Sequence, residues 1–146
     1  MTSEPLSAPH VHPVRVYWED TDAGGIVYHA SHVRFFERGR TEFLRALGVN
    51  QSDHADRAAA DALLFAVRRM EIDYLRPAKL DDLLAVTTAV RDVGRSKLVL
   101  DQRLLRGDEV VAEAVVTVVA IGGAGRPRKI PDTLAAAFAA GVAAPQ

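Results

Sequence analysis

Four strand patterns follow one another between residues 63 and 121, and they limit the available folds more than any other feature of the sequence. The first ends shortly before Pro77, and the last two are joined by Gly107-Asp108, a dipeptide typical of tight hairpin turns. Connections this short favour antiparallel neighbours. The predicted strands are Leu63–Leu75, Leu83–Val93, Lys97–Arg106 and Glu109–Ile121. We therefore expect an antiparallel meander with one apolar face.

A long amphipathic helix is predicted upstream of the meander, from Ser31 to Leu47. Ser31 is a suitable N-cap, and Gly48 is suited to the left-handed position that ends many helices. At ~1.5 Å per residue the helix spans about 25 Å, enough to cover the apolar face of the sheet. Arg40 lies near the middle of its apolar side, where a salt bridge with Glu37 is predicted. The apolar residues at helical spacing are Val33, Phe36, Phe43, Leu44 and Leu47.

A further strand is predicted over Val14–Trp18, with the side chain of Trp18 on the same face as the two valines. One strand, one long helix and four antiparallel strands make an α+β domain, and 146 residues suit a single domain. The predicted boundaries are a disordered tail over 1–12, the domain over 13–132, and a weak helix with a tail over 133–146. Exposed sheet edges favour a homodimer.

Composition excludes several function classes. With 18 Lys+Arg against 19 Asp+Glu the net charge is −1, which argues against general nucleic-acid binding. The absence of cysteine excludes disulfides and thiolate chemistry and fits a reducing compartment. Neither a signal peptide nor an apolar run of ~18 residues is present, so we expect a cytoplasmic protein without membrane insertion. His10 and His12 are expected in the frayed tail rather than as a metal-binding pair.

The joint between the first strand and the helix, residues 19–29, concentrates the chemically capable groups. It reads Glu19-Asp20-Thr21-Asp22-Ala23-Gly24-Gly25-Ile26-Val27-Tyr28-His29. Gly24 and Gly25 allow positive φ and a tight fold. The start of the helix provides unpaired N–H groups and partial positive charge. Such a place can hold an oxyanion while a nearby carboxylate acts, so we expect the reactive site here.

Two stretches carry a family resemblance: the joint, and the helix segment Phe36-Glu37-Arg38-Gly39-Arg40-Thr41-Glu42-Phe43-Leu44-Arg45. Together they closely resemble the hotdog-fold acyl-CoA thioesterases of the 4-hydroxybenzoyl-CoA thioesterase-like group. The nearest resemblance is to the Tol–Pal-associated branch. It runs from Val14 through Val67–Met70 and Pro77–Asp82 to about Pro131. It implies a curled antiparallel sheet wrapped around one long central helix, a dimer or tetramer, and hydrolysis of acyl-CoA thioesters without metal or redox cofactor.

The resemblance also implies roles for particular residues. Asp22 matches the catalytic aspartate of the family, and His29 matches the histidine that assists it in the nearest branch. The free N–H groups from Tyr28 to the first helical turn suit the oxyanion of a thioester. The resemblance adds a backbone N–H near Leu64 or Phe65, at the head of the second strand.

The chemical route of Asp22 stays open at this point. Its reference pKa of about 3.9 predicts an ionised carboxylate, which can attack the thioester carbonyl or activate a water. Without the resemblance, a turn aspartate bonded to the loop backbone would be the first expectation. Glu19 and Asp20 lie nearby, but the spacing does not match a calcium loop and no metal is predicted. Trp18 stands where some relatives have a tyrosine, leaving only an indole N–H donor.

Two basic groups are candidates for binding the phosphates of CoA. The turn 95–97 matches the stretch that contacts the nucleotide in relatives, and the loop 122–131 carries the second group. The predicted CoA-binding residues are Arg95, Ser96, Lys97 and Arg128. A non-catalytic binding module for acyl-CoA or acyl carrier protein is the alternative function. Acyl hydration or dehydration is disfavoured, because dehydratases place the histidine and the acid differently on the helix.

Overall fold

The computed structural model describes residues 9–49 and 62–143, with the backbone alone at 141–143. Residues 50–61, which link the predicted helix to the meander, and most of the predicted N-terminal tail lie outside these residues. The elements are the strands β1 (His10–Arg15), β2 (Leu64–Tyr74), β3 (Leu83–Val93), β4 (Lys97–Arg106) and β5 (Glu109–Ile121), the helices α1 (His29–Ala46) and α2 (Asp132–Ala143), and a 3₁₀ helix at Trp18–Asp20.

The five strands form one sheet in the order β1-β3-β4-β5-β2, with antiparallel pairing throughout. Irregular pairing in β2, β3 and β4 is of the kind that increases strand bending. The sheet curls around α1, which contacts β1, β3 and β4. The meander and the covering helix are therefore as predicted. Neither helix in the described ranges is both long enough and apolar enough to cross a bilayer.

The core lies between α1 and the sheet. Phe35, Phe36, Phe43 and Leu44 of α1 are buried against it. Gly39 allows the close approach, because a Cβ at this position would lie 2.3 Å from Cγ1 of Val86. The other large apolar side chains that are fully buried include Phe138, Leu84, Leu98, Leu100, Leu104, Ile130, Val16, Val86 and Val90.

The C-terminal end of α1 agrees with the prediction, and its N-terminal end does not. Gly48 follows the helix with φ of 88°, as predicted for the residue that ends it. The predicted N-cap is wrong, since α1 begins at His29 with Tyr28 at the cap. Ser31 is instead buried in the first turn, and its hydroxyl donates to the carbonyl of Asp20 at 3.0 Å.

The predicted N-terminal strand is shifted along the chain. β1 begins at His10, so residues 10–12 belong to the sheet rather than to a disordered tail. It ends at Arg15, and Trp18 lies in the 3₁₀ helix with 79% of its surface exposed instead of sharing a buried face with the valines. The Asp20 carboxylate accepts the N–H of Tyr17 at 2.8 Å, which closes this turn and stops the strand.

The C-terminal helix is part of the domain rather than a weak appendage beyond residue 132. Phe138 is fully buried, stacks on Phe43 and meets Phe65 edge-on. Leu134 is buried in the same core. These contacts tie α2 to both α1 and the head of β2.

Arg40 does not form the predicted salt bridge with Glu37. Its Nη1 donates to Oε1 of buried Gln102 at 3.1 Å, while Glu37 accepts the hydroxyl of Thr41 at 2.8 Å. Gln102 is held in turn by donating to the carbonyl of Phe36 and to a β3 hydroxyl, both at 3.0 Å. These buried hydrogen bonds therefore link α1 to β4.

Candidate active site

The joint between β1 and α1 folds into a tight turn that ends at the helix start. Asp22 donates its N–H to the carbonyl of Ile26 at 2.8 Å, and Gly25 donates to the carbonyl of Asp22 at 3.1 Å. Gly25 has a φ of 81°, a conformation that favours glycine. The turn is anchored outside by a bridge between Ile26 and Lys79. Gly25 therefore has the positive φ that the sequence allowed for, whereas Gly24 does not and instead donates its N–H to the Asp22 side chain.

The carboxylate of Asp22 is exposed and is partly held by its own turn. Its Oδ1 accepts the N–H of Gly24 at 2.8 Å, the contact expected of a turn aspartate. Within residues 9–49 and 62–143, Oδ2 has no hydrogen-bond donor. One oxygen therefore fixes the side chain, and the other is available to a reactant.

A cavity of about 340 Å³ opens at the start of α1, between the joint and the tail of β2. Asp22 and His29 both line it, so the structure brings together the two residues predicted to act on the thioester. The lining residues are Asp22, Ile26, Val27, His29, His32, Tyr74, Leu75, Arg76 and Pro77.

His32 and Tyr74 also line this cavity, and neither is among the site residues predicted from the sequence. Buried His32 has its Nδ1 3.2 Å from the carbonyl of Tyr28, and its ring meets that of Tyr74 edge-on at 4.8 Å. The Tyr74 hydroxyl donates to the carbonyl of His29 at 3.0 Å. The three-residue spacing of His29 and His32 was an available signal, because such residues share a helix face. Nothing local indicated Tyr74.

Burial lowers the pKa of His32 below its ordinary value of 6.5, an effect reinforced by His29 and opposed by the backbone carbonyls of Tyr28 and His29. The ring is therefore neutral at pH 7. Donation from Nδ1–H to Tyr28 leaves Nε2 as the acceptor.

We expect the stability of the protein to fall as the pH drops below 6.5, in part because of His32. The unfolded chain then binds a proton that the folded ring resists, so the folded state loses stability as the pH falls toward the lowered pKa. Urea unfolding at pH 7 and pH 5 should show a smaller pH-dependent loss in His32→Phe than in the wild type. Equal losses in the two proteins would contradict this expectation.

The predicted oxyanion donor at Tyr28 is not available, because its N–H donates to the carbonyl of Asp20 at 2.9 Å. The next amides, of His29 and Ala30, occupy the first two helical positions, which have no acceptor within the helix. They carry the partial positive charge of the helix start. These two amides replace Tyr28 as the donors that this chain can offer to an oxyanion.

Leu64 and Phe65 are not near Asp22 in the same chain. β2 begins at Leu64 and ends at Tyr74, which lines the Asp22 cavity. At ~3.3 Å per residue the two ends of the strand are about 30 Å apart. The predicted site residues therefore fall into two groups, one at each end of β2.

The predicted CoA-binding residues belong to the group at the head of β2. The turn 94–97 and the loop 122–131 come together there, with the N–H of Ile130 donating to the carbonyl of Arg95 at 2.8 Å. Arg95, Lys97 and Arg126 are exposed on this surface, which we call the basic surface.

Two of the predicted CoA-binding residues make hydrogen bonds with backbone groups in this region. Ser96 accepts the N–H of Ala120 through its carbonyl at 2.8 Å. Arg128 is directed inward, donating to the carbonyls of Ala62 at 2.9 Å and of Lys129 at 3.3 Å. Arg128 therefore braces the loop against the head of β2, and its role in binding CoA stays a prediction.

Comparison with known proteins agrees with this architecture. The family model of the thioesterase-like superfamily matches residues 16–138. Two curated relatives are the acyl-CoA thioesterase YbgC of Haemophilus influenzae, 45% identical over 86% of this chain and 91% of the relative, and the acyl-CoA thioester hydrolase YbgC of Escherichia coli, 42% identical over 86% and 92%. A probable thioesterase from Bartonella henselae has a similar crystal structure, with a TM-score of 0.81 and 40% identity over 85% of this chain and all of that one.

The chain belongs to the thioesterase-like superfamily. Its sheet and central helix form the hotdog fold, which confirms the fold predicted from the sequence.

Proposed function

We propose that the protein hydrolyses acyl-CoA thioesters to the free acid and CoA, with short-chain aliphatic or aromatic acyl groups as substrates. The observation that carries this proposal is the shared cavity of Asp22 and His29 at the start of α1. The relatives named as acyl-CoA thioesterases support the same substrate class.

In the proposed reaction, the thioester carbonyl oxygen points at the amides of His29 and Ala30, which stabilise the charge that develops on it. The carboxylate of Asp22 either bonds to the carbonyl carbon and expels the CoA thiolate, leaving an anhydride for water to cleave, or takes a proton from an attacking water. In this scheme His29, which lines the same cavity, holds that water. Both routes end in the acid and CoA.

We further propose that the complete site forms between two chains. Within residues 9–49 and 62–143, β2 pairs with β5 alone, and its other edge is open. Val67 and Tyr74 on this strand are each 48% exposed. Antiparallel pairing of two β2 edges would lay the head of one strand beside the tail of the other. Phe65 and the basic surface of one chain would then adjoin the Asp22 cavity of its partner.

One observation favours the alternative of a non-catalytic acyl-CoA or acyl-carrier-protein binding module. The bond from Gly24 to Oδ1 of Asp22 holds the carboxylate against its own turn, as in a purely structural aspartate. Such a module would use the cavity and the basic surface without turnover.

The deciding experiment measures CoA release with a thiol-reactive dye across aliphatic and aromatic acyl-CoA esters of increasing length. We expect turnover with a clear preference for part of the panel. Submicromolar binding of acyl-CoA by calorimetry, with no CoA release from any ester, would favour the binding module and overturn the proposal.

A further inference from the structure

A second cavity, of about 450 Å³, lies between the C-terminal half of α1 and strands β2, β4 and β5. We call it the Arg40 cavity. Six apolar side chains form its floor, and four polar ones line it along α1. The apolar residues are Leu44, Phe65, Val67, Leu98, Leu100 and Val118, and the polar residues are Glu37, Arg40, Thr41 and Arg45.

Arg40 is a buried cation with incomplete compensation. Only 9% of its surface is exposed, and among the described residues it makes one hydrogen bond, to Gln102, and no ion pair. A guanidinium has five N–H donors, and burying a charge is costly unless it is paired. Burial accordingly lowers the pKa of Arg40, an effect only partly opposed by Glu37.

The position of this guanidinium is fixed by the polar network beneath it. Gln102 is anchored by its amide to the carbonyl of Phe36 and the hydroxyl of Thr88, which aims Oε1 at Arg40. A planar fork held in this way, facing a cavity with an apolar floor, suits a ligand with an apolar body and an acidic end.

We propose that the Arg40 cavity receives the far end of the acyl group and that Arg40 binds a carboxylate at that end. This inference rests on the proposed thioesterase function and names the acyl class as the half-esters of dicarboxylic acids. The floor residues Phe65 and Val67 belong to the head of β2, so pairing of β2 edges sets the cavity beside the reactive cavity of the partner chain. A carboxylate supplies the ion-pair partner that buried Arg40 lacks within residues 9–49 and 62–143.

The test compares two five-carbon substrates, glutaryl-CoA and pentanoyl-CoA, which differ in the terminal carboxylate. We expect the wild type to prefer glutaryl-CoA in kcat/KM. Arg40→Met, which keeps most of the volume without the charge, should lower the glutaryl-to-pentanoyl ratio at least ~10-fold, the effect of one lost charge-assisted pair. Arg38→Met, an exposed position on the same helix, should keep the wild-type ratio.

Calorimetric binding of the same two esters to Asp22→Asn, with and without Arg40→Met, separates this inference from the proposed function. If no ester is hydrolysed but glutaryl-CoA binds more tightly through Arg40, the function fails and the Arg40 assignment stands. A parallel fall for both esters in Arg40→Met, or no preference for glutaryl-CoA by the wild type in turnover and binding, would overturn the inference. If Arg40→Met does not fold, the wild-type preference in these two measurements decides.

Discussion

Replacing Asp22 with asparagine is expected to lower turnover of the preferred acyl-CoA ester by at least ~10²-fold, the lower bound for losing a positioned acid–base group or nucleophile. The fold should be unaffected. Asparagine has the same shape, and its side-chain oxygen can still accept the N–H of Gly24 that closes the turn. What disappears is the negative charge and the basicity of the second oxygen, which both proposed routes require.

Rates measured by CoA release, together with thermal unfolding, test this expectation. Glu19→Gln is the matched control, because it neutralises an exposed carboxylate in the same joint that lies outside the cavity. It should retain near wild-type rates. Near wild-type turnover by Asp22→Asn would refute the role assigned to Asp22.

Reversing the charge of the basic surface, in the triple variant Arg95→Glu, Lys97→Glu and Arg126→Glu, is expected to reduce kcat/KM at least ~10-fold by repelling the CoA phosphates. In a site built from two chains, one chain supplies Asp22 and the other supplies the basic surface. The two variants therefore damage opposite halves of the site. Random pairing of the two impaired chains makes half of the dimers mixed, each with one intact site. Coexpression should therefore restore about a quarter of the wild-type activity.

Separate purification and mixing of the folded parents, before any exchange of subunits, provides the control and should give only their summed residual activities. Activity of the coexpressed chains that stays at that sum would contradict a two-chain site. The result does not depend on which route Asp22 takes, since both routes need Asp22 of one chain and the basic surface of its partner.

The central elements were predictable because their signals are local. β3, β4 and β5 have the predicted bounds, and β2 differs by one residue at each end. Alternation along a strand, a two-residue turn and a glycine after a helix are all read from neighbours in the chain. β1 was missed over residues 10–12, because its histidines and Pro13 are poor strand signals. It forms because β3 offers a free edge to pair with.

In the candidate site, too, local features were predictable and long-range contacts were not. Residues 19–29 form one short contiguous segment, so the proximity of Asp22 and His29 was predictable. Tyr74 reaches His29 across 45 positions, and Arg128 reaches Ala62 across 66. Arg40 likewise meets Gln102 across 62 positions, whereas the sequence favoured Glu37 on the neighbouring turn. These pairings depend on which strands become neighbours.

By itself, the sequence determined the family, the order of the elements and the joint proposed to be reactive, since each is encoded in consecutive residues. Only the tertiary structure decided that Leu64 and the basic surface lie at the opposite end of β2 from Asp22, and that Arg40 is buried beside a cavity. The physical reason is geometric. An extended strand separates its ends by its full length, and the burial of a charge depends on what packs over it.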